Sequence, residues 1–305
     1  MTLAMTNPQT SFVIASRNRC AELTATVERL LDTTACPIIV VDNASDDESL
    51  IAVGRLSARS GSRLLLVALD RNLGAVGRNV GVGLCATKYV AFCDDDSWWQ
   101  PDAPGIAEDV FARYPTVGLL AARTVVMPQG IDDPLVRLLA GSPLGTRRDL
   151  PGPSVLGFLA CSSIVRVEAF NAVGGFSPVL HFRGEEQLLA LDMAAHGWDL
   201  CYCAELVAMH QPSQSRPASS AQDARSLRNA VLTTWLRRPA GHCVRSAAAL
   251  ARSAVRDTEH ARAAAEAAAR LPRVLVQRRR LPEPVELAAR LLERGPATAP
   301  AVTST

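Results

Sequence analysis

A chain of 305 residues that is 48% apolar has room for one large domain or two ordinary ones and can bury a core without staples, which excludes wholesale disorder. No run approaches the roughly 18 uninterrupted apolar residues of a membrane span, and the first sixteen residues hold no Lys or Arg, so a cytoplasmic chain without a secretory leader is expected. The net charge of +2 hides an asymmetry: from Arg237 onward 13 arginines face 6 acids, leaving residues 1–236 acidic.

Short apolar runs at 11–14 and 38–41 have the character of buried parallel strands. Between them, residues 21–31 place Leu23, Val27, Leu30 and Leu31 on one helical stripe, which completes a βαβ unit. The strand signal returns at 64–68, a helix rich in small residues follows at 74–86, and a strand at 89–93 stops at three aspartates. A doubly wound α/β architecture is expected. Further on, the pattern predicts a helix over 102–113, a strand over 117–126 and a loop-rich insertion at 131–153 bracketing Arg147 and Arg148. A strand over 156–167, a turn at 174–176, a helix over 186–196 stopped by Gly197, and strands at 200–202 and 206–209 complete the globular part. Helices are expected after Ser219. The composition divides the chain into a globular domain at 1–236 and a basic tail rich in Ala and Arg at 237–305. Eight scattered cysteines lack any CxxC, and Cys201 and Cys203, on one strand face, suit buried structural thiols better than zinc. Lys88 is the only lysine, so the basic residues reflect codon usage more than a phosphate-binding surface, and no nucleic-acid partner is expected.

Polar residues gather where each early strand ends: Ser16, Arg17 and Asn18, then 42–47, then 70–72, then Asp94, Asp95 and Asp96. In open α/β sheets this edge holds the ligand crevice. The three aspartates repel one another unless a cation or many N–H donors neutralise them, and hard oxygen ligands suit Mg2+ or Mn2+ shared with phosphate oxygens. The alternative is an acidic cap before the next helix. Asp42 ends a buried strand and can accept from a base or ribose hydroxyl; Ser45 with Glu48 also fits a capping box. Asn72 and Gly74 lead into a helix whose N-terminus favours anions, with Arg78 expected one turn in, near a diphosphate; the spacing is not that of a dinucleotide fingerprint. Glu185 and Glu186 follow Gly184 at a helix start, where acids suit the dipole but a carboxylate can also act as a general base. A lone histidine such as His210 is more often a core or surface residue, and it gains meaning if its strand ends beside Asp96.

In this order the fragments S-F-V-I-A-S-R-N-R, V-V-D-N-A-S-D-D, N-L-G-A-V-G-R-N-V-G, V-A-F-C-D-D-D-S-W-W, G-G-F, G-E-E and M-H-Q-P-S resemble the family 2 glycosyltransferases of the GT-A fold, over about residues 11–235. The resemblance implies a GT-A nucleotide-diphospho-sugar transferase fold with a C-terminal helical extension. It implies that Asp42 contacts the donor base and that Ser16 and Arg17 help to hold the nucleotide. Asn72, Gly74, Arg78 and Asp95 fall in the same donor-binding set. Asp94 and Asp96 match the ends of the DxD motif, the first towards the ribose and the second on the metal, with His210 where many members offer a further ligand. Glu186 falls on the second position of the family's E-D motif, the inverting base. Glu stands there in place of the commoner Asp, which leaves Glu185 as a competitor. The Q-x-x-R-W signature of processive synthases is missing, which favours single additions.

The expected activity is a Mg2+- or Mn2+-dependent inverting transfer of one sugar from a nucleotide-diphosphate donor to a hydroxyl acceptor: a cell-surface glycan, a lipid-linked intermediate or a small molecule. Two rivals remain, a non-catalytic nucleotide-sugar binding module and a haloacid-dehalogenase-type phosphatase. The second needs a lysine downstream of Asp94, and Lys88 precedes it. The tail suits a solvated face, an oligomer contact, or docking through Arg273, Arg278, Arg279 and Arg280 on the anionic inner leaflet of the cell membrane.

Overall fold

Four β-branched and leucine-rich runs line up as the parallel half of one sheet in a computed structural model that describes residues 8–212 and 220–294, so Ser213 of the M-H-Q-P-S fragment lies outside it. β1 (Thr10–Ser16) leads through α1 (Cys20–Thr33) to β2 (Ile38–Asp42), which continues through α2 (Ser49–Arg59) to β3 (Leu64–Ala68). Then come α3 (Val76–Gly83) and β4 (Tyr89–Cys93). β1 pairs in parallel with β2 and β4, and β2 with β3, so all four carboxyl ends open on one edge. β1, β2 and β4 are buried on both faces, as their apolar runs require, while β3 at the sheet edge is partly exposed.

Beyond β4 the sheet becomes mixed. β5 (Ser97–Trp99) is followed by α4 (Ala103–Arg113), β6 (Val117–Val126), β7 (Ile131–Asp132) and α5 (Pro134–Ala140). β8 (Ser163–Arg166) then leads into α6 (Val167–Ala172), α7 (Glu185–Ala195) and β9 (Asp199–His210). The strand order is β3-β2-β1-β4-β8-β6-β9-β5, with β7 on β6, and β8 runs antiparallel to both neighbours. The strand expected over 156–167 shrinks to β8, because Ala160–Ser162 forms a 3-10 turn under the site. The two short strands expected at 200–202 and 206–209 are one, β9, whose pairing with β6 shifts register between Ala122 and Arg123. Trp98 and Trp99, quoted with the aspartates, lie in β5 and pair it with the end of β9, placing Ser97 opposite His210. The insertion at 131–153 contains α5, capped by Asp133 through the Leu135 N–H.

Cys201 and Cys203 are buried and free, as are Cys36, Cys93 and Cys161. The basic segment is packed onto the sheet domain. α8 (Ser220–Arg237), α9 (Ala240–Ser253), α10 (Thr258–Gln277) and α11 (Glu283–Glu293) follow one another. Leu232, Leu236, Leu250, Ala267 and Val274 share one core with Val179, Leu180 and Leu188. Arg237 pairs with Asp192 on α7, and Arg238 is held by Glu286 at 2.7 Å and Glu293 at 2.5 Å. No helix among the described residues is long and apolar enough to cross a membrane.

Candidate active site

The loops after β1 and β2 are laced together where their strands end. Arg17 donates to Ala44 O at 3.1 Å and to Asp46 at 3.2 Å, and the Asn18 N–H donates to Ser45 Oγ at 3.0 Å. Asn18 Oδ1 accepts from the Asp46 N–H at 2.7 Å. Ser45 is thus engaged with the β1 loop, and the expected capping box does not form; α2 is entered instead with the Ser49 N–H on Asp47. Asp42 is buried, with Oδ2 accepting from the Ser45 N–H at 2.8 Å. Its Oδ1 is buried without a partner. A native structure seldom leaves such an oxygen orphaned, so a ligand donor is its natural complement.

The three aspartates at the end of β4 are each met by a different cation or donor. Asp94 Oδ1 accepts from Arg78 at 2.5 Å. Asp95 accepts from Ser16 Oγ at 2.8 Å and from Arg19 at 3.3 Å, and burial, followed by its neighbour Asp94, pushes its carboxyl up to about 6. Asp96 lies 3.3 Å from Arg19 and 3.4 Å from His210 Nε2, since β9 ends beside it. The repulsion that suggested a metal is therefore relieved largely by arginine. Among the described residues no three His, Cys, Asp or Glu side chains form a metal cluster. A shared ion still fits. Ligand distances of about 2.1 Å put neighbouring ligands about 3 Å apart, close to the Asp96–His210 spacing, and such an ion draws its remaining ligands from substrate phosphate and water.

Arg78 lies one turn into α3 and lines the cavity, with its guanidinium held between carboxylates. It is 4% exposed, bound to Asp94 on one side and 3.8 Å from Glu185 on the other, and these carboxylates raise its pKa against the effect of burial. The turn before α3 explains why it reaches them. Gly74 sits at φ +63°, where a Cβ would stand 2.2 Å from His181 O, so this turn and the 181–184 loop touch backbone to backbone. Asn72 Oδ1 accepts from the Gly74 N–H at 2.8 Å, and Asn43 donates to Gly74 O at 3.2 Å.

Glu185 and Glu186 open α7 as expected and differ in setting. Glu185 is buried against Arg78, with Oε2 unpartnered; Glu186 is half-buried. Burial first raises the pKa of both, and their mutual proximity adds to it at Glu185, while Arg78 opposes it.

One cavity of about 350 Å³ brings together Ser16, Arg17, Arg19, Asn72, Gly74, Arg78 and Asp95, closed by His181, Phe182 and Arg183 and by Gln222 and Arg225 of α8. Asn43 lines it too, bonded to Ser16 O and Gly74 O, while Asp96 lines a neighbouring cavity of about 360 Å³ that shares Asp95 with it. Arg19, Asn43 and the α8 residues have no role assigned by sequence. A signal existed only for Arg19, as the second arginine of R-N-R immediately after a strand facing three acids.

This order of strands, with a parallel nucleotide-type half joined to a mixed half at an acidic strand end, is the GT-A glycosyltransferase fold. Residues 11–174 match the family described as Glycosyl transferase family 2, to which the chain belongs. It is 33% identical over 98 residues to the succinoglycan biosynthesis protein ExoO of Rhizobium meliloti (31% of this chain, 27% of the relative). To a pre-mycofactocin glycosyltransferase of Mycobacterium tuberculosis it is 32% identical over 135 residues (42% and 28%). The chain thus spans little more than a quarter of the length of these curated relatives. In fold it is similar to the mannosyltransferase PcManGT of Pyrobaculum calidifontis, solved with GDP-Man and Mn2+, at TM-score 0.60 and 18% identity over 94% of this chain and 86% of that one. S. aureus TarS 1-349 with UDP-GlcNAc gives TM-score 0.54 and 16% identity over 73% and 66%.

Proposed function

We propose that the chain transfers a single sugar, with inversion, from a nucleotide-diphosphate sugar to a hydroxyl acceptor. The observation that carries this is the meeting of two groups of acids around Arg78. Asp94, Asp95 and Asp96 lie among arginines that would otherwise meet a diphosphate, and Glu185 and Glu186 lie across Arg78 with raised pKa values. Transfer needs both: neutralisation of the leaving diphosphate on one side, and on the other a base that takes the acceptor proton as the anomeric bond forms. Asp42 suits the nucleoside, and Ser16, Arg17, Asn72, Gly74 and Asp95 line the nucleotide's path. Asp96 and His210, with Asp94 beside them, would hold Mg2+ or Mn2+, which supplies charge neutralisation at the diphosphate when bound. Glu186 is the proposed base because it is the more accessible of the pair; Glu185 is fixed against Arg78.

A hydroxyl on a lipid-linked intermediate or growing cell-envelope polysaccharide suits an enzyme at the cytoplasmic face of a membrane. Arg273, Arg279 and Arg280 are exposed beside Leu275 and Val276, which are 63% and 87% exposed. Arg278 leaves this set, since it donates to the backbone carbonyls of Trp235 and Arg238. In this reading 1–236 is the transferase domain and 237–305 its docking extension.

The test is a thermal-shift screen of nucleotide sugars with and without Mn2+. The true donor at a hundred times its dissociation constant stabilises by about 2.7 kcal/mol. The Mn2+-dependent part of that shift should vanish in Asp96→Asn, read against that variant's own unliganded melting point. If no nucleotide sugar stabilises the protein, the proposal fails.

A further inference from the structure

The 181–184 loop adopts a backbone that its residues do not favour. His181 has φ 68° and Arg183 φ 76°, two of the four non-glycine residues with positive φ among those described, and Gly184 follows at 76°. Such conformations persist only where the surroundings over-determine them, and they gather at functional sites. Here the surroundings are α8. Asn229, fully buried, donates through its one amide group to Phe182 O at 2.8 Å and to Arg183 O at 2.5 Å. Its Oδ1 accepts from Arg228 Nε at 2.9 Å, and Arg228 Nη2 donates to Leu180 O at 3.2 Å. The opposite amide orientation would set an oxygen against two carbonyl oxygens, so the surroundings assign it.

The other side of the loop is pinned as well. His181 O accepts from the Ala75 N–H at 2.7 Å, at the Gly74 turn into α3. The loop is thus clamped between α3, which carries Arg78, and α8, which carries Asn229. Its last residue, Gly184, is the left-handed cap from which α7 begins with Glu185 and Glu186. α8 lies beyond the residues that match the family, 11–174, yet it also contributes Gln222 and Arg225 to the cavity wall.

We propose that Asn229 is a positioning residue: it holds the 181–184 loop in its left-handed course and thereby sets the first turn of α7, with Glu185 and Glu186, against Arg78. The effect on catalysis rests on the proposed function, whereas the effect on the loop does not. Asparagine is required by the count of groups. Two carbonyls need two donors from one short side chain, and the arginine beside it needs an acceptor. Aspartate keeps the shape and loses both donors; alanine leaves both carbonyls buried and unpaired. The groups facing the two carboxylates are Arg78 from α3, Asp94 from the end of β4 and the Ala160 N–H, so a shift of the α7 start alters their protonation as well as their aim.

The experiment compares full-length Asn229→Ala and Asn229→Asp with Leu232→Ala, a truncation on the same helix inside the core it shares with Leu180 and Leu188, which removes packing but no hydrogen bond to the loop. Hydrogen exchange is read first, because it needs no substrate. The amides of Ala75, bonded to His181 O, and of Phe182, bonded to Leu180 O, should exchange at least about tenfold faster in both Asn229 variants and stay near wild type in Leu232→Ala. With donor and acceptor present, the Asn229 variants should lose about 10²-fold in kcat, while KM for the donor changes much less and the acid limb of the pH profile moves. Leu232→Ala should lower the melting temperature alone. Unchanged exchange in the Asn229 variants overturns the clamp. Faster exchange with an unaltered kcat and pH profile overturns the link to the carboxylates. Faster exchange in the Asn229 variants, together with a wild-type protein that turns over no donor, leaves the clamp standing and counts against the proposed transfer instead.

Discussion

At the carboxyl edge of β1–β4, Arg78, Asp95, Asp96 and Glu185 are all buried, Arg78 against Asp94 and Glu185 and the two aspartates against Arg19, whereas across α9–α11 most arginines lie on the surface. Those that pair there do so chiefly along one helix, as Arg262 with Glu259, Arg270 with Glu266 and Arg290 with Glu286. The same residue types thus serve opposite ends. In the crevice a charge is worth several kcal/mol because water is not there to replace its partner, and in the helices it is worth a few tenths because water is. Concentration of buried charge marks the site better than the number of charges does: the helices carry the net positive charge, and the chemistry lies in the acidic part.

The largest expected effect that separates the two regions is at Arg78. Arg78→Leu leaves Asp94 and Glu185 without their shared partner and should cost about 3–5 kcal/mol in denaturant unfolding. Arg262→Gln on α10 should change it by less than about 1 kcal/mol. Equal effects would mean that the crevice is wetter than its burial indicates. Next in size is Glu186→Gln, which keeps shape and removes basicity; turnover should fall about 10²- to 10⁴-fold with donor affinity little changed. If Glu185→Gln has that effect and Glu186→Gln does not, the base moves by one residue. The pH dependence follows from the sign of the shifts. Both carboxyls are raised, so the base stays protonated above the ordinary glutamate range, and the acid limb of kcat/KM should lie above pH 4.5. The folded chain also holds protons that the unfolded chain releases. This contribution to stability is present below the unfolded pKa and is lost as pH rises through the folded one, and either Glu→Gln change should flatten that slope. The smallest effect is expected in the tail. Replacing Arg273, Arg279 and Arg280 by Gln should weaken flotation with anionic vesicles by about 1 kcal/mol per residue and leave melting unchanged. Wild-type protein that fails to float at low salt removes the membrane role.

The parallel half was legible because each of its strands is an apolar run closed by polar residues, a local pattern. Asp94 to Asp96, the Gly74 turn and the Gly184-led helix start could be placed on the same ground. What was not legible depends on partners far apart in sequence. Arg19 reaches Asp95 and Asp96 across the width of β1 and β4, and no spacing rule announces it. Arg78 was expected near a diphosphate, but its pairing with Asp94 and Glu185, which converge on it from two other elements, was not foreseen. Ser45 and Glu48 match a capping box in sequence, but Ser45 is claimed by Asn18 from the neighbouring loop. Residues 156–167 are apolar enough for a strand along their whole length; the backbone turns at Ala160–Ser162 to pass under the acids, and hydrophobicity does not record that turn. The switch from a parallel to a mixed sheet at β8 is likewise set by which strand closes beside β4.

The strand order leaves two open edges, and they are not equally safe. β5, at one end, has three residues and offers too short a ladder to recruit another chain. β3, at the other, is Leu-Leu-Leu-Val-Ala with no charge inside it and Leu65 45% exposed. Such an edge is a template for intermolecular pairing. The sequence answers with gatekeepers at both ends, Arg63 before the strand and Asp70 and Arg71 just after it, so that a second copy laid antiparallel meets charge at each terminus of the ladder. Self-association on heating or overexpression would therefore run through this outer strand, and its charged exit leads directly to Asn72 and Gly74 of the crevice, so a bound ligand would brace that end of the edge.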